Sequence, residues 1–189
     1  MTDLTNPPSS NWNVPNALSS ARLALAILVC VLIEWNWILV ALVCFVVAAS
    51  TDWVDGWWAR KYNQVTKLGR ILDPFVDKII ICGTMIALCA TPLSPIAPWM
   101  ATLVVGRELL VTSLRGMVEG QGGDFSAKQL GKWKMVAQCA ALVSVMIQLL
   151  YQSAPTWIQW TSFSLIWIAI GLTVVSGAEY VMLVLRKAP

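Results

Sequence analysis

Four aspartates fall within one stretch, DWVDGWWARKYNQVTKLGRILDPFVD, residues 52–77. Asp52 and Asp55 are three residues apart, and Asp73 and Asp77 are four apart. On helices, each pair shares one face. The connection between the pairs has its midpoint between Asn63 and Thr66. Measured from there, Asp52 matches Asp77 in depth and Asp55 matches Asp73. Two helices folded against each other would gather all four carboxylates. Uncompensated in an apolar setting, such charges are costly. Arg60, Lys61, Arg70 and Lys78 could pair with them, or a divalent cation could neutralise them more compactly. All-oxygen donors favour Mg2+, Mn2+ or Ca2+ over zinc. Gly56, Ala59 and Gly69 lie beside the acids; small residues let backbone approach backbone, or let a flat ligand lie against a helix. Pro74 is expected in the first turns of its helix, where a missing N–H costs little. The chain has no histidine, so proton transfer falls to carboxylate, lysine, cysteine or tyrosine.

The elements that must position these residues are apolar. Of 189 residues, 58% are hydrophobic and 12% charged, well outside the balance of soluble domains. Long apolar runs and eleven tryptophans point to an integral membrane protein. The composition predicts an all-α membrane protein with six transmembrane helices, over 17–33, 37–60, 68–91, 96–118, 130–151 and 157–185. Residues 1–16 read as an N-terminal cytoplasmic or interfacial segment without signal-peptide features, and 17–189 as one six-helix transmembrane domain. Trp35, Trp37, Trp99, Trp157 and Trp160 mark one interface and Trp12, Trp57, Trp58 and Trp133 the other; Trp167 reads as packing near mid-span. Lysine and arginine gather at the termini, in 61–67 and in 119–129, while 34–36, 92–98 and 152–156 hold none. The positive-inside rule then places both termini and the aspartate stretch in the cytoplasm, with a cytoplasmic-facing active-site cavity. The five cysteines sit in apolar runs without CxxC spacing and read as buried thiols.

A second set of charges is cationic. Arg107 and Arg115 lie in GRELLVTSLRG on the fourth span, and Lys132 and Lys134 in KQLGKWKMVAQ on the fifth. Arg107 stands well inside its span, where a charge is paired or lines a polar cavity. Glu108 is a candidate partner for one of these cations. The set suits a substrate that carries a phosphate, whereas Lys128 reads as a snorkelling anchor.

The pattern D-x2-D-G-x2-A-R-x8-G-x3-D-x3-D is met at Asp52, Asp55, Gly56, Ala59, Arg60, Gly69, Asp73 and Asp77. In this the chain resembles the CDP-alcohol phosphotransferases. NVPNALSSAR, ARKYNQVTKLG, GRELLVTSLR and GKWKMVAQ extend the resemblance to the branch whose acceptor is sn-glycerol 3-phosphate, with Ser19 and Met135 standing where threonine is common. The resemblance implies an enzyme of phospholipid biosynthesis in the inner membrane of a bacterium. It would move the phosphatidyl group of CDP-diacylglycerol to glycerol 3-phosphate and release CMP. It implies Mg2+ or Mn2+ at Asp52, Asp55, Asp73 and Asp77, with Asp77 the general base. Gly56, Ala59, Arg60 and Gly69 would lie at the CDP moiety, and Arg107, Arg115, Lys132 and Lys134 at the acceptor phosphate. It also implies a homodimer, with membrane lipids and no nucleic acid as partners. Two alternatives stand beside it: a family member with another acceptor, phosphatidylglycerol or an inositol phosphate, and a divalent-cation transporter using the aspartates as its ion site.

Overall fold

The computed structural model describes the backbone of residues 14–62, 67–120, 129–151 and 153–187, and the side chains of 20–51, 75–117, 131, 133–151 and 153–184. Six helices follow in order: α1 (Val14–Glu34), α2 (Ile38–Tyr62), α3 (Lys67–Ala90), α4 (Pro98–Gly120), α5 (Gln129–Leu149) and α6 (Thr156–Lys187). The described residues include no strand. Each helix matches an expected span to within a few residues. Glu34, expected in a loop, is instead the last residue of α1. Pro74 is the eighth residue of α3. There its missing N–H removes a bond to the residue 70 carbonyl.

Local chemistry explains the boundaries. Asn36 has φ 61°, a left-handed conformation that asparagine tolerates. Its N–H donates to the Ile33 carbonyl at 2.9 Å, and the Trp37 N–H to the Leu32 carbonyl at 2.8 Å. This paired Schellman arrangement satisfies the last carbonyls of α1. Pro98 opens α4, where its lack of an N–H is harmless and its φ is already helical.

The core repeats at helical spacing. Ala26, Val29 and Ile33 of α1, Ala41, Phe45 and Ala48 of α2, and Ile81, Met85 and Leu88 of α3 are buried together with Ala101 and Val104 of α4, Leu142 and Val145 of α5, and Ala169 and Ile170 of α6. Steps of three and four put each of the sets on α1 to α5 on one stripe. The alanines let the helices approach closely. Gly83 does the same on α3: a Cβ there would stand 3.1 Å from Cys30 Sγ of α1. α1 packs on both α2 and α3, α5 on α6, and α4 on α3 and α6, while α2 and α3 also touch each other and α5.

The outer surface is apolar as well. Leu39, Val43 and Val47 of α2, Leu109 and Leu110 of α4, and Ile168 and Val175 of α6 are exposed. Trp167, expected as internal packing, is also exposed. It joins an aromatic row, 6.0 Å from the Trp99 ring and 6.1 Å from Phe163. Among the described residues, Thr156–Val184 is the one stretch long and apolar enough to cross a membrane; Ile38–Thr51 and Trp133–Leu149 are shorter apolar stretches. In α4 the apolar run is interrupted by Arg107, Glu108 and Arg115.

Candidate active site

Asp52 and Asp55 lie on the final turns of α2, and Asp73 and Asp77 on the first half of α3. The two helices end and begin four residues apart, around the expected midpoint, and both pack on α1. Arg22 of α1 is buried, so that helix brings a cation to the same bundle; sequence reasoning quoted the segment ending in Arg22 without giving the residue a role. Asp77 is half-buried. The side chains of Asp52, Asp55, Gly56, Ala59, Arg60, Gly69, Asp73 and Lys132 lie outside the described residues, as does any cavity they line. Among the described residues no three acids, cysteines or histidines gather at metal-binding distance.

Of the cationic set Arg107, Arg115 and Lys134 are described, and they lie close together. Glu108 is 7% exposed and Lys134 also 7%. The Lys134 ammonium donates to Glu108 Oε1. Arg107 Nη1 donates to the same oxygen at 2.9 Å. A buried carboxylate shared by two cations is stable because the alternative, a bare charge away from water, costs several kcal/mol per ion. Lys134 is also within electrostatic reach of Lys78, the neighbour of Asp77. The cationic cluster therefore adjoins α3 beside its described aspartate. At 1.5 Å per residue, Asp77 is about 15 Å along α3, while Arg107 and Arg115 stand about 20 and 8 Å from the end of α4.

α6 supplies partners that the sequence reading did not single out. Arg107 Nη2 donates to Ser176 Oγ at 2.8 Å, and Arg107 Cζ lies 5.9 Å from the centre of the Tyr180 ring. Arg115 Nη2 donates to the Tyr180 hydroxyl at 3.2 Å. Further along, Gln138 Nε2 donates to Thr173 Oγ1 at 3.0 Å. Thr173, Ser176, Gly177 and Tyr180 are spaced by three, one and three. That is a polar stripe at helical period inside an apolar helix, a signal legible in the sequence. In this hydrogen-bonded set Arg107 and Lys134 meet one carboxylate, Glu108, while Arg115 is held by the Tyr180 hydroxyl. The Nε atoms of Arg107 and Arg115 are buried and, among the described residues, find no acceptor. Neighbouring cations with two N–H donors left over among the described residues form an arrangement that suits an anion.

A cleft of about 1330 Å3 opens at the other end of the bundle, lined among others by Glu34, Trp37, Thr91, Gln148 and Tyr151. It shares no residue with the cationic cluster.

The sequence profile of the CDP-alcohol phosphatidyltransferase family matches residues 12–175, a span running from α1 into α6. The chain belongs to this family, and it is an enzyme. A CDP-diacylglycerol–glycerol-3-phosphate 3-phosphatidyltransferase of Bacillus subtilis is 35% identical over 188 residues, covering 89% of this chain and 93% of the relative. The protein of that name from Escherichia coli K12 is 32% identical, again over 89% and 93%. A rice cardiolipin synthase (CMP-forming) is 29% identical over 95% of this chain and 60% of its own length.

Proposed function

We propose that this enzyme transfers the phosphatidyl group of CDP-diacylglycerol to sn-glycerol 3-phosphate, giving phosphatidylglycerophosphate and CMP. The observation that carries this reading is the cluster of Arg107, Arg115 and Lys134, in which two buried Nε–H groups find no acceptor among the described residues. A phosphate monoester supplies the missing negative charge and accepts those donors. The relatives that match over nearly their whole length are named for this reaction.

In this reading the acceptor's phosphate is held by Arg107 and Arg115, with Lys134 and Lys132 adding charge. Asp77 removes the proton from the free primary hydroxyl. That oxygen forms a bond to the lipid-side phosphorus, and the anhydride bond to CMP breaks with its electron pair leaving on CMP. No covalent enzyme intermediate is required. Asp52, Asp55, Asp73 and Asp77 offer only hard oxygen donors, a set that fits Mg2+ or Mn2+. When bound, such an ion supplies charge neutralisation at the pyrophosphate. Gly56, Ala59, Arg60 and Gly69 hold the CMP portion.

The same reading places all six helices across an inner membrane. The apolar outer surface supports this, because exposed leucine and valine are compatible with lipid and costly in water. Arg107, Glu108 and Arg115 of α4 bond to protein groups, where a spanning helix tolerates charge. Both termini and the acidic end lie in the cytoplasm, as the lysine and arginine distribution requires. Assembly as a homodimer follows from the family resemblance, and cross-linking in membranes tests it. Family membership argues against the cation-transporter alternative, as does the apolar packing of Met100, Met146 and Ile166 toward the far end.

An acceptor panel is the deciding experiment. Purified protein in detergent with CDP-diacylglycerol is expected to release CMP with glycerol 3-phosphate. Turnover with phosphatidylglycerol alone would favour the cardiolipin-forming reading that the rice relative raises, and turnover with inositol phosphate alone would favour the third.

A further inference from the structure

Arg107 and Arg115 are eight residues apart on α4, which separates their backbones by about 12 Å. Two arginines that far apart act on one anion only if something draws their guanidinium groups together. Tyr180 of α6 is common to both. Its ring lies against the Arg107 guanidinium, Cζ 5.9 Å from the centroid, and its hydroxyl accepts from Arg115 Nη2 at 3.2 Å. Ser176, one turn earlier, accepts from Arg107 Nη2. Between them, Gly177 provides space: a Cβ there would stand 3.0 Å from Arg107 Cγ and 3.6 Å from Nε. The stem of Arg107 thus lies in a notch on α6 that any side chain at position 177 would fill. Ser176 is 1% exposed and Tyr180 6%, so the wall they form excludes water from one side of both arginines.

These contacts also decide how each guanidinium is held. Arg107 uses Nη1 on Glu108 and Nη2 on Ser176. Arg115 uses Nη2 on Tyr180. In both, Nε is buried and unmatched among the described residues. We propose that Ser176, Gly177 and Tyr180 are positioning residues that set Arg107 and Arg115 as one receptor for the acceptor's phosphate. This rests on the reading that these arginines hold that phosphate. The α6 residues touch no reacting atom; they act through the guanidinium groups, whose orientation matters because an arginine fork binds phosphate directionally.

The test is steady-state CMP release by the purified protein in mixed micelles, varying CDP-diacylglycerol and glycerol 3-phosphate separately. Tyr180→Phe keeps the ring and removes the hydroxyl; it is expected to raise the KM for glycerol 3-phosphate about tenfold, the scale of one hydrogen bond to a charged group. Gly177→Val fills the notch and is expected to raise it at least as much, with Gly177→Ala between Gly177→Val and the native chain. The KM for CDP-diacylglycerol should change by no more than about twofold in each, because only acceptor binding is lost. A purely structural role would instead lower the active fraction or shift both KM values. Arg107→Gln is run in parallel. If it raises the acceptor KM while Tyr180→Phe and both Gly177 variants leave it unchanged, the positioning role is overturned and the phosphate-binding reading stands. If Arg107→Gln leaves the acceptor KM unchanged, the phosphate-binding reading fails and this inference with it. Should Gly177→Val not fold, Tyr180→Phe and Gly177→Ala decide alone.

Discussion

At the scale of single residues, the two halves of the chemistry separate cleanly. Asp77→Asn keeps the shape of the side chain and removes its basicity. A general base contributes about 10²–10⁴-fold, so kcat should fall by at least about 100-fold with CDP-diacylglycerol binding retained; binding is read by protection against thermal unfolding. Unchanged turnover would take Asp77 out of the base role. Glu108 has a different kind of importance, because Arg107 and Lys134 share its Oε1. Glu108→Gln leaves two buried cations without their counter-charge, a loss of about 3–5 kcal/mol. Adding Lys134→Met should recover part of that loss in a detergent melting experiment, since the second change removes one stranded charge. The sequence showed that Glu108 was in reach of a cation. That one oxygen serves two of them depends on α3 and α6, against which both α4 and α5 pack.

At the scale of helices, the polar residues sit where small residues allow close approach. Gly83 faces Cys30 across the α1–α3 contact, and α1 carries the packing of both aspartate helices. Gly83→Val forces those helices apart. Overpacking of this kind costs about 1–3 kcal/mol. The expected result is a lower melting temperature together with a reduced kcat, because moving α3 against α1 also moves Asp77. A variant that melts early with full activity would show that the α1–α3 distance does not control the acidic site. The helices themselves were legible in the sequence: their boundaries follow Asn36, Pro98 and the polar connections, all local signals. The start of α3 at Lys67 was legible too, because Thr66 directly before it is a favoured N-cap residue type.

For the whole molecule, charge distribution and apolar surface govern behaviour. Chelation of divalent ions should abolish CMP release, and Mg2+ or Mn2+ should restore it; persistent activity after chelation would remove the metal from the mechanism. Reporter fusions at either end should both read as cytoplasmic, and a split result would overturn the six-span arrangement. By itself the sequence determined the helical class, the approximate limits of six helices, and the acids and cations that share a helix face, because side-chain periodicity along one helix is a local property. Tertiary structure decided which faces meet. It set α6 against α4, let Gly177 admit the Arg107 stem and placed Tyr180 between two arginines, because the pairing of distant helices depends on packing between surfaces whose contacts no spacing within a single helix encodes.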